Sequence, residues 1–360
     1  MFVLASGYFQ YFFDRNEIQK ILILCPQGIG DSLMAMSMID VLKNSIREVQ
    51  ISVLVRNNNI SEMLKRAKIV DKVHLLESSS LKNFIKITNE IYKYHYNVSI
   101  TTSNVNQFKG SFFPFICGIK LRLGDLKNKK MHFYNRYIKY NGRILKIKQN
   151  LKILSLLNLN IDKFRPPKFI IYEREQEEVI NFLRAQKVNK HFLIGIVPSS
   201  NSRGAGPTRR WAPEKFAKLC DTLIETGKIP VFLGNREDKT TVISKIVSLM
   251  KYPEEALDTS GKFTLFQTGA LIKNCRTVIG NDAGLMHIAA ALEVPTITIF
   301  GHTNRYAHRP YQKKSYIVYN KNLECSPCVD INPYGACKEK KCLKDISVQD
   351  VLLKLDEELQ

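Results

Sequence analysis

Residues 281–303 read Asn281-Asp282-Ala283-Gly284-Leu285-Met286-His287-Ile288-Ala289-Ala290-Ala291-Leu292-Glu293-Val294-Pro295-Thr296-Ile297-Thr298-Ile299-Phe300-Gly301-His302-Thr303. A short apolar run, Thr277 to Ile279, leads in. A loop carrying Asp and Gly follows, then a helical span from Leu285 to Leu292, then a β-branched run from Thr296 to Phe300. This is strand, loop, helix and strand. It puts free N–H groups and a positive helix end at the carboxyl ends of strands, where α/β folds bind ligands and a phosphate is favoured. His287 falls in the first helical turn and serves either as a structural imidazole or as a group facing a cleft.

The same alternation extends towards the N-terminus. Phe192 to Val197 and Ile229 to Leu233 read as strands. Pro213 to Thr226, Glu237 to Met250 and Thr264 to Asn274 read as helices, the first with Pro just inside its start. Arg165-Pro166-Pro167 breaks the pattern, because consecutive prolines disfavour helix. A short strand over Phe169 to Tyr172 and a charged helix over Glu173 to Gln186 are predicted after it. Before the break, strands are predicted at Ile21–Cys25, Ile51–Val55, Val73–Leu76 and Val98–Thr101. Helices are predicted near Asp31–Lys43, Ser61–Ala67 and Leu81–Tyr94. The expected architecture is α/β: two Rossmann-like domains, 1–167 and 168–345, facing a central cleft, followed by a terminal helix in 346–360 with Ser347 as its N-cap.

The 360 residues suit two domains, at most three, and allow a large core without disulfide staples. With 44% hydrophobic and 24% charged residues, disorder, collagen and coiled coil are excluded as global readings. Lys plus Arg number 54 against 33 Asp plus Glu, a formal net charge of +21. That field favours polyanions: nucleic acid, anionic lipid or phosphorylated substrates. No apolar run reaches the ~18 residues of a membrane-spanning helix. The opening MFVLASGYFQYFF lacks a basic segment before it and a small-residue cleavage signal after it, so it reads as a short extension. A cytosolic, reducing compartment is the default expectation.

Three strand-end loops carry the candidate chemistry. The first is Pro26-Gln27-Gly28-Ile29-Gly30-Asp31-Ser32. Gly28 and Gly30 allow a tight turn and close approach. Leu33 occupies the third glycine position of a dinucleotide fingerprint, so a nicotinamide cofactor is disfavoured. Asp31 either caps its helix or holds a carboxylate in the cleft. The second is Val197-Pro198-Ser199-Ser200-Asn201, followed by Thr208-Arg209-Arg210-Trp211. Hydroxyls, backbone N–H groups and an Arg fork suit a diphosphate. Trp211, the chain's only tryptophan, also suits core packing. The third is the loop of Asp282, Ala283, Gly284 and His287 already quoted.

GIGDSL, TRRW and NDAGLMHIAAALEVPTITIFGHT, in this order and spacing, resemble glycosyltransferase family 9, the bacterial heptosyltransferases of lipopolysaccharide core assembly. The resemblance runs from about Lys20 to Leu355 and implies a GT-B fold. It implies inverting transfer of heptose from ADP-heptose, or of a sugar from another nucleotide diphosphate sugar, with no cofactor required and no metal. The N-terminal half would bind a lipid-linked or core oligosaccharide acceptor and the C-terminal half the donor. Gly28 and Gly30 would form the acceptor-side loop. Asp31 would be the general base. Arg209 would neutralise the departing diphosphate. Ser199, Ser200, Glu237, Asp282, Ala283, Gly284 and His287 would bind the donor. Ala283 stands where the family carries a hydroxyl, and Pro198-Ser199 where it carries Pro-Gly. Transfer of a different sugar in surface-polysaccharide synthesis, or a non-catalytic basic module holding anionic glycolipid, are the alternatives.

Lys120 to Lys152 contains eleven basic residues and one acid, Asp125, with Phe133, Tyr134, Tyr137 and Tyr140 interleaved. No nucleic-acid-binding signature accompanies it, so nucleic acid is not expected as a partner. A solvated helix face, or a surface for phosphorylated lipid at the inner leaflet, fits the composition. The expected location is therefore cytoplasmic and peripheral on the inner membrane. Cys325-x2-Cys328-x8-Cys337-x4-Cys342 allows structural zinc, free thiols or disulfides.

Overall fold

The computed structural model describes residues 18–25, 28–78, 80–103, 105–127, 132–188, 192–200, 206–328, 337 and 340–360. The opening extension, Pro26, Gln27, Asn201, Lys129 and Lys130 lie outside them.

The first half forms one parallel sheet. Its strands are β1 (Lys20–Leu24), β2 (Gln50–Val55), β3 (Lys72–Leu75), β4 (Val98–Thr101), β5 (Leu121–Leu126) and β6 (Arg136–Lys139), in the order β3-β2-β1-β4-β5-β6. The connecting helices are α1 (Ile29–Ser45), α2 (Asn58–Arg66), α3 (Leu81–Lys93) and α4 (Gln107–Ile116), with α5 (Lys146–Ile153) following β6. β1 pairs in register with β2 and β4, and its inner residues Ile21 to Ile23 are fully buried. A run buried on both faces is what a parallel sheet requires.

After α6 (Glu173–Ala185) the architecture repeats. Strands β7 (Leu193–Val197), β8 (Ile229–Phe232), β9 (Leu257–Asp258), β10 (Thr277–Asn281), β11 (Thr296–Phe300) and β12 (Ser315–Tyr319) form a second parallel sheet, ordered β12-β11-β10-β7-β8-β9. Read from β9, this is the order of the first sheet, the doubly wound arrangement with a switch point at its centre. Around it lie α7 (Pro213–Glu225), α8 (Arg236–Asp238), α9 (Ser244–Leu249), α10 (Leu265–Lys273), α11 (Gly284–Ala291), α12 (Arg305–His308), α13 (Lys341–Lys344) and α14 (Val348–Leu359). A π turn, Lys239–Ile243, joins α8 to α9. Ser347 caps α14, its hydroxyl accepting from Asp350 N.

Two expectations need correction. Phe169 to Tyr172 forms no strand. Phe169 is buried by side-chain packing instead, stacking on Phe266 at 5.2 Å, without backbone pairing to either sheet. The basic stretch is not one solvated helix. It divides into β5, β6 and α5, and part of its charge turns inward. The Arg122 guanidinium donates to the carbonyls of Ile119 and Phe133, each at 2.6 Å, and Lys146 is buried.

The two halves meet helix to helix. Leu33, Met34 and Ile39 of α1 share one continuous core with Met286, Ile288 and Ala289 of α11. At the outer side of the junction Arg66 of α2 pairs with Glu175 of α6 at 2.7 Å, and its guanidinium lies 3.6 Å from the Phe266 ring centroid. Ser37 of α1 donates to Arg165 O at 2.6 Å across the linker.

Candidate active site

The cleft between the sheets has a volume of about 950 Å3. Its floor comes from both halves: Gly28 to Asp31 on one side, Arg209, Asp282 to Gly284, His287 and His308 on the other. Leu54, Leu76, Leu81, Phe84, Phe112 and Phe113 form an apolar wall in the first half, with Arg56 and Lys109 beside it.

Asp31 is the third residue of α1. Gly28 is the N-cap and makes no side-chain cap bond, so Asp31 is not the cap. A carboxylate in the first turn still gains from the helix dipole. One oxygen, Oδ1, accepts from Lys146 Nζ at 3.1 Å. Burial pushes this carboxyl upward, but the charge of Lys146, and in acid that of His308, outweighs it and holds Asp31 below the usual carboxylate range.

Gly30 lies inside α1, not in a loop. A Cβ there would sit 2.4 Å from His287 Cδ2, so only glycine lets the start of α1 approach the imidazole. His287 is buried, and burial pushes its pKa down. At the same junction Gly284, the first residue of α11, faces Ile29.

The cleft-side loops of the second half are clamped by Asn281 at the end of β10. Its Oδ1 accepts from Trp211 N at 3.0 Å and its Nδ2 donates to Pro198 O at 2.7 Å. Both ends of the connection from β7 to α7 are thereby tied to the end of β10. Trp211 is buried, meets Phe216 edge-on, and donates its Nε1–H to Ile346 O at 3.1 Å. Its role is packing, and it places Arg209 at the cleft. Arg209 Nη1 lies 3.7 Å from Asp282 Oδ2, while its buried Nε has no partner among the described residues. His302 Nε2 and Thr303 Oγ1 are likewise buried without partners among the described residues. His302 is pushed down by burial and by the charge of Arg209. Unsatisfied buried polar atoms gathered near one guanidinium suit a polyanionic ligand.

Not every expected residue reaches the cleft. Ser199 and Ser200 are buried: the Ser199 hydroxyl donates to Asp238 Oδ1, and the Ser200 carbonyl accepts from Arg210 at 3.0 Å. Glu237 is exposed in α8, outside the cleft-lining residues, and its neighbour Asp238 is the carboxylate that meets the Ser199 loop. In sequence Lys146 is one of the eleven basic residues between Lys120 and Lys152, and His308 stands outside the quoted motifs. Neither lies in a strand-end motif, and only tertiary structure carries them to Asp31. Cys325, Cys328, Cys337 and Cys342 form no disulfide among the described residues, nor are three His, Cys, Asp or Glu side chains there placed to hold a metal ion.

Two doubly wound parallel sheets facing a shared cleft are the GT-B architecture. The family model of glycosyltransferase family 9 (heptosyltransferase) matches residues 84–338, and the chain belongs to that family. It is 27% identical over 322 residues to the lipooligosaccharide heptosyltransferase 2 of Haemophilus ducreyi, covering 83% of this chain and 88% of the relative. It is 26% identical over 357 residues to the lipopolysaccharide heptosyltransferase 1 of Campylobacter coli, covering 94% and 98%. Among solved structures it resembles E. coli ADP-heptose lps heptosyltransferase II, with a TM-score of 0.74, 22% identity, and coverage of 95% of this chain and 98% of that one. A family 9 glycosyltransferase from Veillonella parvula superposes with a TM-score of 0.78 at 17% identity, covering 95% and 97%. No described helix is long and apolar enough to cross a membrane.

Proposed function

We propose that this glycosyltransferase moves heptose from ADP-heptose, with inversion, onto a lipopolysaccharide core or related surface-glycan acceptor. One observation carries the reading: a single cleft sets the Asp31 carboxylate of the first sheet against Arg209, Asp282 and the start of α11 from the second. ADP-heptose is the donor named for the E. coli relative. The division follows, with acceptor bound by 1–167 and donor by 168–345.

The chemistry needs a base on the acceptor side and positive charge on the donor side. Asp31 takes the proton of the acceptor hydroxyl. That oxygen forms its bond to the anomeric carbon on the face opposite the diphosphate. The anomeric carbon–phosphate oxygen bond breaks, and its electron pair leaves with ADP. Arg209 and the free N–H groups at the start of α11 meet the new charge, with Ala283 contributing backbone only. In this reading protein groups carry the whole burden and no cofactor is called for. The net charge of +21 supports peripheral attachment to an anionic inner leaflet.

The test pairs calorimetry with turnover. Saturable binding that prefers ADP over UDP, GDP and CMP is expected, and Asp31→Asn is expected to keep that binding while losing at least ~100-fold in turnover. Preference for UDP or GDP would replace the sugar and keep the fold. Wild-type turnover in Asp31→Asn would remove the base.

A further inference from the structure

Beside Asp31 lies a buried ammonium that the transfer as written does not use. Lys146 opens α5, and its side chain has no exposed surface. An ammonium so enclosed persists only when paired. Its Nζ lies 3.1 Å from Asp31 Oδ1 and 3.3 and 3.4 Å from the two ring nitrogens of His308 in α12. The contact therefore joins α1 and α5 of the first half to α12 of the second. Nearby, Asn304 Nδ2 donates to Gly142 O at 2.8 Å, holding α12 against the segment that leads into α5.

The charges around the pair are few. His287 approaches from α11 and Asp282 from the loop before it, with Arg209 against Asp282. Lys127 and Asp125 stand on the β5 side. Burial and Lys146 push His308 down to about 4, so at neutral pH its ring is uncharged and accepts from the ammonium. Among the described residues, Lys146 is thus the cation paired directly with Asp31 at neutral pH. Burial alone would favour a protonated carboxyl, and a protonated Asp31 cannot take a proton from an acceptor.

We propose that Lys146 is a positioning residue for the transfer: its ammonium, paired to one carboxylate oxygen and braced by His308 from the other half, keeps Asp31 ionised in the cleft. The inference rests on Asp31 being the base.

The experiment is the pH dependence of kcat/KM with ADP-heptose as donor and truncated lipooligosaccharide from a deletion strain of the source organism as acceptor. Lys146→Met keeps an unbranched side chain one atom shorter and removes the charge. Its acid limb is expected to move up by about one pH unit or more. Activity then falls about tenfold or more at the acid end and recovers towards the alkaline end. Lys146→Arg is expected to bring the limb back towards the wild-type position, and ADP binding by calorimetry is expected to change little in either variant. If Lys146→Met does not fold, Lys146→Gln gives the same readout with an uncharged donor. A loss of equal size at every pH, with the limb unmoved, overturns the positioning role. The outcomes separate from the underlying reading: turnover surviving in Asp31→Asn refutes the base itself, whereas loss in Asp31→Asn with an unmoved limb in Lys146→Met refutes Lys146 alone.

Discussion

Replacing Gly30 with alanine tests how tightly the two halves are joined. The added Cβ would lie 2.4 Å from His287 Cδ2 and 3.0 Å from its Cγ and Nε2. Carbon atoms rest at about 3.5–4.0 Å, so the ring or the helices must shift by roughly 1 Å. The ring has little freedom, being buried among the charges of Asp282, Asp31 and Lys146. Overpacking of this kind costs about 1–3 kcal/mol. Alanine in a helix returns ~0.5–1 kcal/mol relative to glycine. The expected net effect is a loss of about 1 kcal/mol, measured as a lower urea midpoint at unchanged slope. The start of α11 should move with His287, so ADP affinity should fall as well. The decisive control is the same substitution in a His287→Ala background. There the Cβ has room, the clash disappears, and Gly30→Ala should become neutral or stabilising. The packing argument is refuted if Gly30→Ala stabilises the wild type by the propensity amount, or if it costs the same in both backgrounds.

Removing the guanidinium in Arg209→Ala should weaken ADP binding by about 1.5–3 kcal/mol, roughly 10- to 150-fold, with the fold intact, because a charge-assisted bond to phosphate is lost. Calorimetry reads this directly, and unchanged affinity would remove Arg209 from the donor site. Stability should fall with acid. His308 titrates at about 4 in the folded chain against an ordinary 6.5, so between those values the unfolded chain binds more protons and folding weakens as pH drops. The full window is worth about 3 kcal/mol. His74, His287 and His302 are also pushed down by burial and act in the same direction. Asp31, held low by its cations against burial, adds its loss below the ordinary carboxylate range. Thermal midpoints measured from neutral pH to about 4.5 should decline, and less steeply in His308→Gln; an identical slope would refute the assignment to His308.

Much of this molecule was legible in the chain itself. Parallel strands announce themselves as a continuous apolar run at Ile21 to Leu24 and a β-branched run at Thr296 to Phe300, because both faces of the sheet are covered. Helices between them follow from periodicity, and their starts from residues such as Pro213 and Ser347. The loops carrying Asp31, Arg209 and Asp282 were readable for the same reason: strand-end position is a local property. Even the family follows from motifs that are contiguous in sequence.

What tertiary structure alone decided is which of these loops meet, and what else meets them. β5, β6 and α5 lie in a stretch whose eleven basic residues hide its apolar period. Lys146 looks there like one solvated lysine among many, and folding makes it the buried partner of Asp31. His308 sits in a four-residue helix with no motif around it, yet it closes the same contact from the other half of the molecule. Gly30 suggests a tight turn in sequence and proves to be a helical residue required by an imidazole from a distant segment. The physical reason is common to all three. Periodicity and capping act over a few neighbouring residues, whereas a buried charge takes its meaning from groups more than a hundred positions away, and no local pattern records them.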